Sequence, residues 1–368
     1  MGLRVLMAAG GTGGHVLPAV TVARWLKQQD PDCSCAAVSG RRGVAAQWWD
    51  PALGELTMVS VEPWPRRLQM VDPRYWWRQA RGAVRLARLL RRYRPQVVVG
   101  FGGYVSGPAV LLAKLSGTPT VIHEQNVFPG RTTRLLVPWA DRVTVSFEET
   151  RRYLPARARV TVTGNPVRAD VEGRSRAAAF KALGLSPDLP VLLVMGGSQG
   201  SRALNTIAVE ALALLAPKDR RRFQMFHLTG ADDHAAVAGR YRALGVAGHA
   251  VAALPDMGPA YAAATMALVR AGATTLAELV ATATPSVLVP YPYAGAHQMA
   301  NAHWLSRQGG ALIMDQRVLT PARFVEVVLP LLQDAARLEA MRAHLRRLAT
   351  PGAAERVATA VLEVAHAN

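Results

Sequence analysis

The chain has 368 residues, more than one hydrophobic core usually sustains, and its 50% hydrophobic and 18% charged composition excludes a disordered protein in favour of two globular domains. The formal charge is +18, with 23 Lys/Arg against 10 Asp/Glu in residues 1–163 and 20 against 15 in the remainder, so a field that attracts anionic ligands, lipid or nucleic acid is concentrated in the first half. No apolar run reaches the roughly 18–20 residues that span a bilayer, and the stretch Met1 to Ala8 is too short for a signal peptide and reads as a first buried strand.

In chain order, strands are expected at Leu3–Ala8, Val97–Gly100, Pro119–Ile122, Val143–Val145 and Val160–Val162. Further strands are expected at Val191–Met195, Gln224–Leu228, Ala250–Ala253, Met266–Val269, Ser286–Val289 and Ala311–Met314. Helical patterns separate most of them, as at Val16–Gln28, Ser201–Leu215, Thr274–Ala281 and Gln298–Arg307. Apolar strands alternating with helices indicate parallel sheets covered on both faces. Cys33 and Cys35 are too close for a good disulfide and stand without further metal ligands, as ordinary thiols in a reducing compartment do. Gly164-Asn165-Pro166 is a strong turn signal, after which the pattern restarts. The expected division is therefore 1–163, 164–350, and a C-terminal helix within 351–368. The fold class is α/β, with two Rossmann-like domains facing each other across a cleft.

Each half opens on a strand, a glycine loop and a helix start. In Gly10-Gly-Thr-Gly-Gly-His15, four glycines within five residues let the backbone approach a ligand, and the helix that follows offers amides and a positive dipole end to a phosphate. The spacing is neither the dinucleotide GxGxxG nor a P-loop. Neutral His15 could accept a proton or cap the helix. Gly196-Gly-Ser-Gln-Gly-Ser201 could cradle a second phosphate. Arg270-Ala-Gly-Ala-Thr-Thr-Leu-Ala-Glu278 leaves a strand and opens a helix, so the amides of Ala273, Thr274 and Thr275 suit an anion and Glu278 suits a ribose diol. The loop Pro290 to Asn301 delivers His297, Gln298 and Asn301, whose amides suit sugar hydroxyls or a helix cap. Phe101 to Pro108, with Tyr104, and His123-Glu124-Gln125-Asn126 follow further strands, where ligands bind in open α/β sheets. Four consecutive polar residues after an apolar strand are not expected in a core.

Arg74, Arg78, Arg81, Arg85, Arg88 and Arg92 step by four and three, which draws one stripe along a helix begun by Asp72 and Pro73. Trp76, Trp77, Val84 and Leu90 fall off the stripe, with Trp64 just upstream. Such a face is either solvated or docked on an anionic membrane surface, with the tryptophans at headgroup level. No nucleic-acid motif accompanies it, so nucleic acid is not expected as a partner.

Seven segments in order resemble the bacterial MurG family: Gly10–His15, Phe101–Pro108, His123–Asn126, Gly164–Arg168, Gly196–Ser201, Arg270–Glu278 and the Gln298–Asn301 loop. Members are N-acetylglucosamine transferases that convert lipid I to lipid II in peptidoglycan synthesis. The resemblance implies a GT-B fold and a peripheral place on the cytoplasmic face of the plasma membrane. It implies no cofactor and no metal. UDP-GlcNAc, lipid I and the membrane surface are the implied partners, with room for cell-wall synthesis proteins. By motif, Thr12, Gly13, Gly14, Asn126, Arg168, Ser198, Leu254, Ala273, Thr274, Thr275, Leu276, Ala277, Glu278 and Gln298 would contact the donor. Arg168 and Ser198 would meet its diphosphate, Leu254 the uracil and Gln298 the sugar. His15 would remove the acceptor proton, and Tyr104, His123 and Glu124 are acceptor-side candidates. Many relatives carry an acidic residue where Gly295 and Ala296 stand here. Two other classes fit the same parts: another UDP-sugar transferase such as a diacylglycerol glycosyltransferase, and a nucleotide-responsive binding module without turnover.

Overall fold

The strand β1 (Arg4–Ala8) pairs in parallel with β2 (Ser34–Gly40) on one side and β4 (Val97–Gly100) on the other, Met7 lying opposite both Ala37 and Val99. The computed structural model describes residues 2–41, 44–62, 72–197, 199–293 and 296–367. The chain divides into two units, Met1–Val167 with Gly352–Asn368, and Arg168–Pro351.

In the first unit the order continues with α1 (Gly13–Gln29), α2 (Ala45–Trp48), β3 (Leu56–Val59), α3 (Pro73–Tyr93), α4 (Ser106–Leu115), β5 (Thr120–Glu124), α5 (Arg131–Leu136), β6 (Arg142–Val145) and β7 (Val160–Val162). Its sheet is wholly parallel, in the order β3-β2-β1-β4-β5-β6-β7. Helices cover both faces. Leu86, Leu89 and Leu90 of α3 meet Leu6, Ala36 and Val98 on one face. Val16, Val20 and Ala23 of α1 meet Val5, Met7 and Val99 on the other. Burying both faces explains why these strands read as unbroken apolar runs.

The second unit holds α6 (Arg176–Leu183), β8 (Val191–Met195), α7 (Arg202–Leu214), α8 (Pro217–Arg220), β9 (Gln224–Leu228), α9 (His234–Leu244), β10 (Gly248–Val251), α10 (Gly258–Ala263), β11 (Met266–Val269), α11 (Ala273–Ala281), β12 (Ser286–Leu288), α12 (His297–Arg307), β13 (Ala311–Ile313), α13 (Pro321–Gln333) and α14 (Ala335–Leu348). Its parallel order is β10-β9-β8-β11-β12-β13. The last helix, α15 (Ala353–His366), belongs to the first unit: Val357, Ala358, Val361 and Val364 enter the core beneath α1, and Arg356 donates to the Thr163 carbonyl.

Two strands lie outside the sequence expectation, and β10 starts two residues before the expected Ala250–Ala253. The segment of β2 is Ser-Cys-Ala-Ala-Val-Ser-Gly, whose small residues carry little hydrophobic contrast, yet it is buried almost throughout. The other, β3, is a four-residue edge strand. Cys33 and Cys35 are free thiols within the core, their sulfurs 3.8 Å apart. Among the described residues no helix is long and apolar enough to cross a membrane.

Candidate functional site

Both sheets reverse their strand order at one place, between β1 and β4 in the first and between β8 and β11 in the second. Ligands of open α/β sheets bind beyond the strand ends at such reversals. The glycine loops lie there, one in each unit.

In the first unit the loop after β1 turns through Gly11 at φ +88° and enters α1 at Gly13, with Thr12 as N-cap. The amides of Gly13 and Gly14 thus stand in the first helical turn. The His15 ring folds back, and its Nδ1 lies 2.9 Å from the Gly10 carbonyl. A carbonyl only accepts, so Nδ1 carries a hydrogen, and in the neutral form of such a ring the lone pair is on Nε2. That is the tautomer a general base requires. The loop after β4 is shaped around this ring: a Cβ on Gly102 would stand 2.8 Å from His15 Cδ2, and one on Gly103 would stand 2.3 Å from the Gly10 oxygen. Gln125, after β5, donates to the Phe101 carbonyl at 2.7 Å and steadies the same loop. The Tyr104 ring lies against Gly40, leaving no room for a side chain there.

His123 and Glu124 differ from expectation. Both belong to β5 itself and, with Gln125, are buried. The His123 ring meets the Thr144 hydroxyl at 3.0 Å and Asn165 Oδ1 at 3.3 Å, and burial pushes its pKa down to about 4. Glu124 Oε1 accepts from the Asn126 backbone and side-chain nitrogens, and Oε2 accepts from Gly130 N–H and the Thr133 hydroxyl. The carboxylate thereby ties Asn126 to the start of α5. A buried charge needs such partners, and they occupy it inside the fold instead of facing an acceptor.

In the second unit, the glycines of the 196–201 loop are set by contact. A Cβ on Gly200 would lie 2.0 Å from the Thr229 oxygen, and Gly197 has φ +97°. Ser201 caps α7. Ser198 lies outside the described residues, as do Trp64 and Gly295. Arg270, leaving β11, reaches across the reversal point and donates to the Ser201 hydroxyl at 2.7 Å, to Gln316 Oε1 at 2.6 Å and to the Val289 carbonyl at 3.0 Å. Its guanidinium also stacks 5.4 Å from the Tyr291 ring centroid. One side chain thus brackets three loops, a role that no local pattern announced.

Helix α11 begins at Ala273, and its first intrahelical bond runs from Leu276 N–H to the Gly272 carbonyl. The amides of residues 273–275 therefore crown its N-terminus, as an anion site requires. One turn on, Glu278 is buried, and its Oε2 accepts from the Tyr261 hydroxyl at 2.8 Å. Burial pushes the Glu278 carboxyl above its ordinary range, opposed by the Tyr261 hydrogen bond and the nearby Arg168 charge. Arg168 is itself buried and donates to the Pro255 carbonyl at 3.0 Å, which fixes the backbone next to Leu254. Leu276 is core and Ala277 is half-buried on the same helix. Gln298 Oε1 accepts from Tyr291 N–H at 2.8 Å, and among the described residues its Nε2 meets no acceptor. Asn301 is buried and donates to the Ala271 carbonyl, so it braces the turn before α11.

The stripe on α3 is divided. Asp72 caps the helix and Pro73 opens it. Arg78 pairs with Glu62 and Arg92 with Glu55, whereas Arg74, Arg81, Arg85 and Arg88 are exposed. Beside them Trp76 is 52% and Trp77 62% exposed, and the Arg81 guanidinium lies 5.3 Å from the Trp77 ring centroid. Leu90, also off the stripe, is core. Leu111 and Leu115 of the adjoining α4 are exposed as well.

Residues 5–145 match the glycosyltransferase family 28 N-terminal domain, and residues 191–357 match the glycosyltransferase family 28 C-terminal domain. The chain is 39% identical over 370 residues to the UDP-N-acetylglucosamine–N-acetylmuramyl-(pentapeptide) pyrophosphoryl-undecaprenol N-acetylglucosamine transferase of Syntrophotalea carbinolica, covering 96% of this chain and 97% of that one. It is 39% identical over 367 residues to the protein of the same name from Symbiobacterium thermophilum, covering 99% and 96%. Among solved structures, Acinetobacter baumannii MurG matches with a TM-score of 0.76 at 27% identity, over 99% of this chain and 100% of that one. With both domains matched in order and nearly the whole of each relative aligned, the chain belongs to the MurG family, the GT-B N-acetylglucosamine transferases of glycosyltransferase family 28.

Proposed function

We propose that this chain transfers N-acetylglucosamine from UDP-GlcNAc to the MurNAc 4-hydroxyl of lipid I, releasing UDP and forming lipid II. The near-full-length identity to proteins named for that transfer carries the reading. The residues fit its chemistry. The acceptor oxygen attacks the anomeric carbon from the face opposite UDP, which inverts the centre and makes a β1,4 bond. His15 Nε2 takes the hydroxyl proton, because Gly10 holds the hydrogen of the ring on Nδ1. Charge that gathers on the departing diphosphate is offset by the N-terminus of α11 and by Arg168. Glu278 receives the ribose hydroxyls, the backbone beside Leu254 reads the uracil, and Gln298 Nε2 meets the sugar. Thr12, Gly13 and Gly14 present the first-turn amides of α1 to a phosphate. The exposed tryptophans of α3, the leucines of α4 and the neighbouring arginines rest on the cytoplasmic face of an anionic membrane, where the lipid acceptor lies.

Supplying lipid I and following label from UDP-GlcNAc, UDP-glucose or UDP-galactose tests this. Transfer from UDP-GlcNAc alone, giving a disaccharide on the lipid, is expected. Transfer of glucose or galactose to diacylglycerol in its place would overturn the assignment.

A further inference from the structure

The outer edge of the first sheet carries a feature the transfer reaction does not use. Among the described residues the edge strand β3 pairs only with β2. Ala37 N–H donates to the Glu55 carbonyl, so in a parallel ladder Glu55 and Thr57 face β2 while Leu56 and Met58 turn their N–H and C=O groups outward. Among the described residues nothing hydrogen-bonds to those outward groups. Beside this edge lies a groove of about 400 Å³, walled by Glu55, Leu56 and Met58 on one side and by Arg85, Arg88 and Arg92 of α3 on the other. Glu55 neutralises Arg92, and among the described residues Arg85 and Arg88 have no carboxylate partner. An unpaired edge, a groove along it and two uncompensated cations coincide.

We propose that this groove binds an extended acidic segment of a partner protein, which adds a strand to β3. Backbone pairing at the edge supplies affinity, and alternate acidic side chains meeting Arg85 and Arg88 supply selectivity. The hydrogen-bond inventory favours a peptide over a lipid headgroup. The edge offers donors and acceptors in alternation, and an extended backbone matches both, whereas a phosphate only accepts. Pairing with a second copy of the chain is disfavoured, because two edges would bring the same arginines together on molecules of formal charge +18.

The probe is a short fluorescein-labelled peptide of alternating Glu and Val, with a Lys–Val peptide as control, titrated into the full chain by anisotropy. Met58→Pro removes an outward N–H and leaves the β2 pairing intact, a change an edge strand accepts. It is expected to weaken peptide binding at least about tenfold, as is the Arg85→Glu/Arg88→Glu double variant, with the melting temperature held. Amide exchange on the unaltered protein gives a readout independent of any variant: the Leu56 and Met58 amides should slow when the peptide is added. Unslowed amides, or Met58→Pro binding the peptide as tightly as the parent, overturn the proposal. So does protection of the same amides by phosphatidylglycerol vesicles but not by the peptide.

Discussion

The Tyr261 hydroxyl donates to Glu278 Oε2 at 2.8 Å inside the second unit, with both side chains buried. Burial raises the Glu278 pKa, and the Tyr261 bond is the first of the influences that lower it. Tyrosine therefore favours the ionised carboxylate and holds its rotamer, while Glu278 Oε1 has no hydrogen-bond partner among the described residues. Tyr261→Phe removes a bond to a charged group worth about 1.5–3 kcal/mol. UDP affinity should fall on the order of tenfold, with KM for the donor rising and kcat nearly kept. The preference for UDP over 2′-deoxy-UDP should narrow. The sign with pH follows: without the hydroxyl the carboxyl ionises at higher pH, so the acid limb of UDP binding moves upward. Calorimetry of both nucleotides across pH checks this, and an unmoved limb would detach Glu278 from the ribose.

His15 is predicted to act on the proton and not on donor affinity. His15→Ala should lower kcat by about 10²–10⁴, with UDP affinity unchanged. His15→Asn, which can keep a hydrogen bond to the Gly10 carbonyl without supplying the base, should be as slow. Near-normal turnover by either variant would sink the assignment.

Gly102 tests the placement of that ring separately. Its φ of +94° already disfavours a side chain, and an added Cβ would meet both Cδ2 and Nε2 of His15. Gly102→Ala should cost roughly 1–2 kcal/mol of stability from the backbone alone and displace the imidazole. Steady-state kinetics should show kcat falling further than thermal stability would account for. A stable Gly102→Ala enzyme at full speed would show that the ring position does not matter.

The membrane face is tested by vesicle co-sedimentation. Trp76→Ser with Trp77→Ser should weaken binding to phosphatidylglycerol vesicles at every salt concentration, because it removes apolar insertion. Arg74→Gln with Arg81→Gln should weaken it mainly at low salt, because it removes a screened attraction. Binding indifferent to both pairs would leave the exposed tryptophans without a membrane role.

The glycine loops were legible because a close backbone approach leaves a mark in the residue type itself: nothing but glycine fits at Gly200 against Thr229 or at Gly103 against Gly10. The Asp72–Pro73 helix start was legible for a similar local reason. The strand β2 was not, since small buried residues lack the hydrophobic contrast on which periodicity depends. Tyr261 and Arg270 were hidden differently. Their roles depend on partners far along the chain, Glu278 for one and Ser201, Val289 and Gln316 for the other, which the sheet order alone brings together. His123 and Glu124 misled for the converse reason: polar residues at a strand end resemble ligand-facing ones until their internal partners are seen.

Each unit also buries one neutral histidine, which makes the fold sensitive to acid. His227 contacts the Tyr241 hydroxyl at 2.8 Å and Asn205 Oδ1 at 3.0 Å, and burial depresses its pKa to about 3. His123 in the first unit is depressed to about 4 by the same cause. Unfolded histidine titrates near 6.5. Both groups therefore stabilise the fold fully above about pH 6.5, and the stability drains away as pH falls toward the depressed values, because the unfolded chain takes up the protons first. The His123 contribution is on the order of 3 kcal/mol. Melting temperature should decline steeply between about pH 6.5 and 4. His227→Gln and His123→Gln should each start lower at neutral pH and decline less steeply below it. A decline of unchanged slope in both variants would overturn the assignment, because carboxylates such as Asp141, whose ion pair with Lys114 and bonds to Thr120 hold its pKa down against burial, give up their contribution only below about pH 4.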